Sequence, residues 1–371
     1  MAYLQRRGVA AGSCPFRSVG AVSAPIVIAH RGVPGARLEH TAESYQIAIE
    51  QGADYIEPDL VMSRDGVLVV RHENELSSTT DVADRAIFAD RRTTKDVDGV
   101  AVTGWFSEDF TLEELRSLST RERIPEVRPG NLGLAGTILT FEQVIDIAEA
   151  ENARRGPGEP RLGIYPETKH PTYFNALGYD ITDLLLSTLR SRDLDTERSR
   201  FPVIIQSMEP GNLRWLRSRT SLPLIQLLEH GGAPYDHVLA GDSRDYAFLA
   251  SAAGLAFIAE YADGVGAHKS LVIARDAEDR LAAPTALVGD AHDLGLAVHV
   301  WTLRDENHFL PADLRNGQGP ADHGDALAEY LAFYDAGVDG VFSDSTARAI
   351  TARDRWERRS PSATGSPAPG A

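Results

Sequence analysis

The chain has 371 residues, 43% of them hydrophobic, which is enough apolar material for one large globular domain or two smaller ones. Its 37 Lys and Arg against 54 Asp and Glu leave a formal charge of −17, with no basic run or aromatic-basic stripe to override it, so nucleic acid is excluded as an expected partner and anionic lipid is not attracted. No stretch nears the roughly 20 apolar residues that span a bilayer, so no integral membrane segment is expected, and the single cysteine, Cys14, excludes an intramolecular disulfide and any multi-thiolate metal site.

Residues 1–24 read as an irregular leader, in which Pro15 and Arg17 interrupt any apolar signal core. From Pro25 onward short β-branched runs alternate with helical patterns, the rhythm of strands wrapped by crossover helices. The expected strands are 26–30, 54–60, 67–72, 162–167, 202–207, 223–228, 254–259, 297–302 and 337–343. Thr111-x-x-Glu114 and Thr140-x-x-Gln143 are capping boxes that open helices, and Gly52 and Gly337 are placed to stop them. Several strands are apolar on both faces, as in a parallel sheet covered by helices, so the fold class is an α/β barrel of eight strands and eight helices, of the TIM type.

Nine strands compete for eight staves. The link "VMSRDG" is too short for a helical crossover, so the second and third strands form a hairpin; a turn centred on 63–66 sets His72 opposite Glu57. Residues from about 73 to 137 are polar and lack the strand-helix rhythm, an insertion after the strand ending at His72. A second irregular stretch follows Thr302, and long loops of this kind often build or cover a site. The barrel domain runs over 25–350, and the small, Pro-rich end over 351–371 is expected to be disordered.

Ionisable groups gather at the strand ends. Glu57 and Asp59 are two apart on a strand and share a face, so their carboxylates repel unless one is protonated or a cation joins them. Glu167 ends another strand, with Lys169 two residues on. Three hard oxygen ligands suit Mg²⁺ or Ca²⁺, and Lys169 suits a phosphate. His30 and His72 offer the two halves of acid-base catalysis, and Arg31 a permanent cation for an oxyanion. All fall at the C-terminal ends of successive strands, the end that carries the site in barrel enzymes. No G-x-S-x-G elbow or phosphate-binding glycine loop competes with them.

In order, "HRG" (30–32), "EHT" (39–41), "GADYIEPDL" (52–60), "RDGVLVVRHE" (64–73), "PETK" (166–169), "QSM" (206–208), "VWTLRD" (300–305) and "GVDGVFSD" (337–344) resemble the hallmarks of the glycerophosphodiester phosphodiesterases. The resemblance runs from about Pro25 to Arg348, and "TTDVADR" (79–85) places it with the longer, periplasmic-type branch. It implies a metal-dependent barrel enzyme that hydrolyses small-molecule glycerophosphodiesters to sn-glycerol 3-phosphate and an alcohol. His30 and His72 would be the acid-base pair, Arg31 and Lys169 phosphate contacts, Glu57, Asp59 and Glu167 ligands of Ca²⁺ or Mg²⁺, Glu39 a supporting carboxylate and Trp301 a wall of the pocket. The sequence departs from the common family pattern at His40, Glu73 and Met208, where Asn, Asp and Phe are usual. A lipid-headgroup hydrolase of the phospholipase D type on the same barrel and a non-catalytic binding protein are the alternatives. The leader points to a cytoplasmic protein and the branch to a periplasmic or secreted one.

Overall fold

A computed structural model describes residues 24–196 and 198–359. The leader up to residue 23 with Cys14, and the end beyond Arg359, lie outside the described residues. The strands are β1 (Ile26–His30), β2 (Tyr55–Glu57), β3 (Asp59–Met62), β4 (Leu68–Val70), β5 (Thr93–Val97), β6 (Val100–Gly104), β7 (Gly163–Ile164), β8 (Glu167–Thr168), β9 (Ile205–Ser207), β10 (Leu224–Leu228), β11 (Gly264–His268), β12 (Ile273–Arg275), β13 (Leu281–Pro284), β14 (Ala297–Leu303) and β15 (Gly340–Ser343). Pro58, which has no N–H to give, splits one stave into β2 and β3, and the Tyr165-Pro166 step splits another into β7 and β8. β1 pairs in parallel with β15 and β2, β2 with β7, and β3 with β8. From β8 the parallel order continues through β9, β10, β11, β14 and β15, which closes a ring of eight staves. The fold is the expected TIM-type barrel.

Period-two alternation divides each stave into a helix-facing and an inward-facing set. Outward residues such as Val27 and Ala29 join the large core under the helices. Inward residues Ile28, Tyr165, Ile204, Ile225 and Phe342 form a separate apolar plug inside the barrel. The next inward level toward the C-terminal rim turns polar: His30, Glu57, Glu167 and Gln206 line a cavity whose base includes Phe342. The apolar plug thus acts as the floor on which the ionisable groups stand.

Three expectations need correction. Residues 254–259 are not a strand: 254–258 belong to the helix Ala252–Ile258, capped by Ser251 and burying Gly254, Leu255 and Ile258, and Ala259 is its C-cap. The sixth stave is β11 instead, and its sequence "GVGAH" hides because two glycines lower strand propensity, whereas a short, wholly apolar run fits either structure. The β3–β4 hairpin is antiparallel as expected but one residue out of register, pairing Leu60 with Val70 and Met62 with Leu68. Ser63 N–H donates to Val67 O around a three-residue loop with Gly66 left-handed. Arg71 lies level with Asp59, so the register sets His72 level with Pro58 instead of Glu57, and β4 ends at Val70.

The third correction concerns the end of the barrel. Residues 351–359 are not disordered but continue the helix Thr346–Arg359, which buries Ala349 and Ala352. Arg353 Nη1 holds Asp54 Oδ2 at 2.5 Å and Pro25 O at 3.2 Å, so this charged segment is tied to the start of β1. Both capping boxes form, at Thr111 and Thr140, each contributing about 1 kcal/mol. The segment 73–137, between β4 and the helix Phe141–Arg154, contains the antiparallel hairpin β5–β6 and the helix Leu112–Arg116. Among the described residues no helix is long and apolar enough to cross a membrane.

Candidate active site

β1 delivers His30 and, in the turn after it, Arg31 at φ 60. That turn closes through Gly32, at φ 96, where a Cβ would lie 2.3 Å from Ser44 Oγ, so only glycine fits. Ser44 Oγ accepts the Val33 N–H at 2.8 Å, anchoring the turn to the helix Ala42–Glu50. Arg31 N–H donates to Glu57 Oε2 at 2.9 Å, its Nε lies 3.1 Å from Asp59 Oδ2, and its Nη1 lies 3.5 Å from Glu39 Oε2. A left-handed arginine is unfavourable on its own, and here three carboxylates hold it in place.

Glu57, Asp59 and Glu167 are buried, and one carboxylate oxygen from each lies within 4.8 Å of the others. Burial, then the charge of Asp59, pushes Glu57 well above the ordinary carboxylate range. Burial likewise pushes Glu167 up to about 8, against the pull of Lys169 Nζ at 3.1 Å. Burial alone would raise Asp59 too, but the Arg31 charge and the His40 hydrogen bond hold it well below its usual range. Its Oδ2 is taken by His40 Nε2 at 2.9 Å, while its buried Oδ1 has no partner among the described residues. An orphaned carboxylate oxygen beside two carboxyls raised by repulsion and burial fits a divalent cation, which would relieve both costs. The trio suits a divalent metal ion.

His30 Nδ1 lies 2.6 Å from Asp344 Oδ1, which leaves its Nε2 for chemistry in the cavity. Burial first, then the Arg31 charge, lowers His30 to about 4. His72 stands beside Glu73, with Nδ1 2.8 Å from Glu73 Oε1, and its Nε2 is 3.5 Å from Lys169 Nζ. Burial, then Arg31 and Lys169, lowers it to about 3. Both rings are therefore neutral at neutral pH before an anion arrives. The cavity, of about 360 Å³, is lined by His30, Arg31, Glu57, His72, Glu167, Lys169 and Trp301 together. Trp301 is pinned by its indole N–H, which donates to Gly266 O at 2.7 Å. Glu39 sits behind Arg31, with Arg123 Nε at 3.2 Å; burial would raise it, but Arg31, Arg123 and Arg71 hold it low.

A match to the family model for glycerophosphoryl diester phosphodiesterases covers residues 30–348. The chain belongs to that family. It is 36% identical over 337 residues to glycerophosphodiester phosphodiesterase GDPD6 of Arabidopsis thaliana, covering 87% of this chain and 84% of the relative. With the glycerophosphodiester phosphodiesterase of Haemophilus influenzae it shares 29% over 351 residues, covering 86% and 87%. An Oleispira antarctica phosphodiesterase, solved in complex with the product sn-glycerol 3-phosphate, has the same fold at a TM-score of 0.55 and 19% identity, covering 89% of this chain and 97% of that one. The enzyme is thus a phosphoric diester hydrolase.

In this phosphodiesterase the site residues expected from the sequence come to the same rim, with Glu39 behind Arg31 and Asp59 beside Glu57 and Glu167 but neither lining the cavity itself. Several neighbours were not foreseen. Asp344 orients His30 and is itself held by Arg128 Nη2 at 2.5 Å and Arg304 Nε at 2.8 Å. Gln206 Nε2 donates to Glu57 Oε1 at 3.2 Å, and His40 bridges Asp59 and the Tyr45 hydroxyl, which bonds it at 2.8 Å. Asp344 follows the last stave directly, so the strand-end rule was the available signal. Arg128 carried none, because it lies in the insertion and reaches the site only through that segment's folding; His170 follows Lys169 just after β8, and it is its partner Asp98 that comes from the insertion.

His170, left-handed at φ 49, joins Glu73 Oε2 at 3.0 Å to Asp98 Oδ2 at 2.6 Å. Asp98 sits at the tip of the β5–β6 hairpin, so this bridge ties the insertion to the partner of His72. Burial alone would lower His170, but the two carboxylates raise it to about 9. A raised histidine contributes stability that is complete below about 6.5 and lost as the pH rises through about 9. His170→Gln is therefore expected to cost on the order of 2 kcal/mol at pH 6 and little at pH 9.5. Urea midpoints measured across that window check it; parallel curves for the two proteins would refute the bridge's role.

Proposed function

We propose that the enzyme hydrolyses glycerophosphodiesters such as glycerophosphocholine and glycerophosphoethanolamine to sn-glycerol 3-phosphate and the free alcohol. Ca²⁺ or Mg²⁺ is the ion, held by Glu57, Asp59 and Glu167. The observation that carries this reading is one cavity lined jointly by two imidazoles, Arg31, Lys169, Glu57 and Glu167, with Asp59 completing the buried carboxylate trio. When bound, the ion supplies positive charge to the phosphoryl oxygens.

The chain's own groups account for the rest. Arg31 and Lys169 stabilise negative charge on the phosphoryl group as it reorganises. One imidazole accepts a proton from the nucleophile as its oxygen bonds to phosphorus, the phosphorus–oxygen bond to the alcohol breaks and the other imidazole delivers a proton to the departing oxygen. The nucleophile is water, or the glycerol hydroxyl, whose cyclic phosphate water then opens. The phosphodiester's charge, entering beside His30 and His72, raises both depressed rings and makes a protonated one accessible in the complex. Asp344 holds the tautomer of His30, and Glu73 stands in the corresponding place by His72.

A coupled assay for glycerol 3-phosphate on a panel of diesters, run after chelation with Ca²⁺ or Mg²⁺ added back, tests this. Release from deacylated diesters that depends on one of the two ions supports it. Faster headgroup release from intact lysophospholipid, or tight diester binding without turnover, would replace it with one of the two alternatives.

A further inference from the structure

A second group of metal-ligating side chains stands apart from the carboxylate trio. Glu229 and His230 follow β10 and His268 ends β11, so two neighbouring staves bring them together, with one ligand atom from each within 4.8 Å of the others. The two imidazole centroids are 4.8 Å apart. Each ring already has a partner at Nδ1: His230 meets Glu229 Oε1, and His268 lies 2.7 Å from Ser270 Oγ. For His268 this is how metal-bound imidazoles are typically held, one nitrogen fixed so that the other can face an ion, while His230 is paired with Glu229 of the group itself.

The donor chemistry also separates the two groups. Three carboxylates select hard ions such as Ca²⁺, Mg²⁺ or Mn²⁺, whereas two imidazoles with a carboxylate suit Zn²⁺ and its neighbours. The location matters as well. Glu229 lines the catalytic cavity, and the His268 ring packs edge-on against Trp301 of the same wall at 5.0 Å.

We propose that Glu229, His230 and His268 form an inhibitory site for a divalent transition ion of the Zn²⁺ type at the mouth of the catalytic cavity. An ion there draws Glu229 and His268 together across the wall that carries Trp301 and narrows the entrance for the diester. The site is independent of the acid-base reading, although its inhibition readout uses the proposed hydrolysis.

The test uses the whole protein, chelated and then saturated with Mg²⁺ or Ca²⁺ to fill the carboxylate trio. Zn²⁺ binding is measured by equilibrium dialysis, which needs no activity, and hydrolysis of glycerophosphocholine is followed at the same Zn²⁺ concentrations. The wild type is expected to take up one equivalent of Zn²⁺ and to lose activity as it does. His230→Ala removes an exposed side chain that does not line the cavity, so basal hydrolysis is retained while Zn²⁺ binding and inhibition both weaken by at least about tenfold. In His268→Gln Zn²⁺ binding and inhibition are expected to weaken likewise. Zn²⁺ binding and inhibition unchanged in both variants would place the ion on the carboxylate trio and overturn the proposal; binding without inhibition would overturn it as well.

Discussion

His30→Ala and His72→Ala are each expected to lower kcat by at least about 10²-fold while leaving the far-ultraviolet circular dichroism and melting temperature close to wild type. The first half follows from geometry: both rings open onto the same cavity, His30 is held by Asp344 at its far nitrogen, and Glu73 Oε1 stands 2.8 Å from Nδ1 of His72. A general acid or base typically contributes 10²- to 10⁴-fold, and loss of either proton carrier blocks one half of the hydrolysis. The second half follows from what each ring costs the fold. His72 is only partly buried, and when the buried His30 ring is removed Asp344 keeps Arg128 and Arg304 as partners, so neither change strips a buried charge of all its partners. Steady-state kinetics on glycerophosphocholine decides the matter. Near-normal kcat in either variant would remove that ring from the proton pathway, whatever the metal does.

Glu57→Gln is the second large effect. A neutral amide keeps the shape but not the charge of the ligand, so the transition-state stabilisation that a bound ion supplies, several kcal/mol or about 10²- to 10³-fold in rate, is largely lost. The same change should not unfold the protein. Burial and the Asp59 charge already push the Glu57 carboxyl well up, so the metal-free enzyme gains little from its charge, and the amide relieves repulsion. In the presence of excess chelator the variant is therefore expected to melt no lower than the wild type. On adding Ca²⁺ or Mg²⁺, the wild type rises in melting temperature as the ion binds the native state alone, while the variant rises little. Differential scanning calorimetry with and without the ion checks both statements. A wild type whose activity survives exhaustive chelation, or a variant that gains as much from the ion as the wild type does, would refute the trio.

Much of this was readable before any coordinates. The eight-stave architecture followed from doubly apolar runs alternating with capped helices, and the catalytic rim followed from ionisable residues recurring at strand ends. Both are local signals, written in residue spacing along one segment. Where two local signals coincided, as in the apolar run 254–259, the reading failed, because a short apolar segment satisfies a buried helix as well as a strand. The one-residue slip at the β3–β4 turn came from the same source: register depends on loop geometry, and whether three or four residues make the loop is decided by hydrogen bonds such as Ser63 to Val67.

By itself, then, the sequence determined which residues can carry charge to the barrel rim: His30, Arg31, Glu57, Asp59, His72, Glu167 and Lys169, each placed by alternation on its own strand or just beyond it. Only the tertiary structure decided how those charges are held. Asp344 reaches His30 from 314 residues away, Arg128 of the insertion locks Asp344, and His170 joins Glu73 to a hairpin tip 72 residues upstream. These contacts are long-range because a buried charge must find its partner in space, and the nearest partner across a closed barrel is seldom near along the chain.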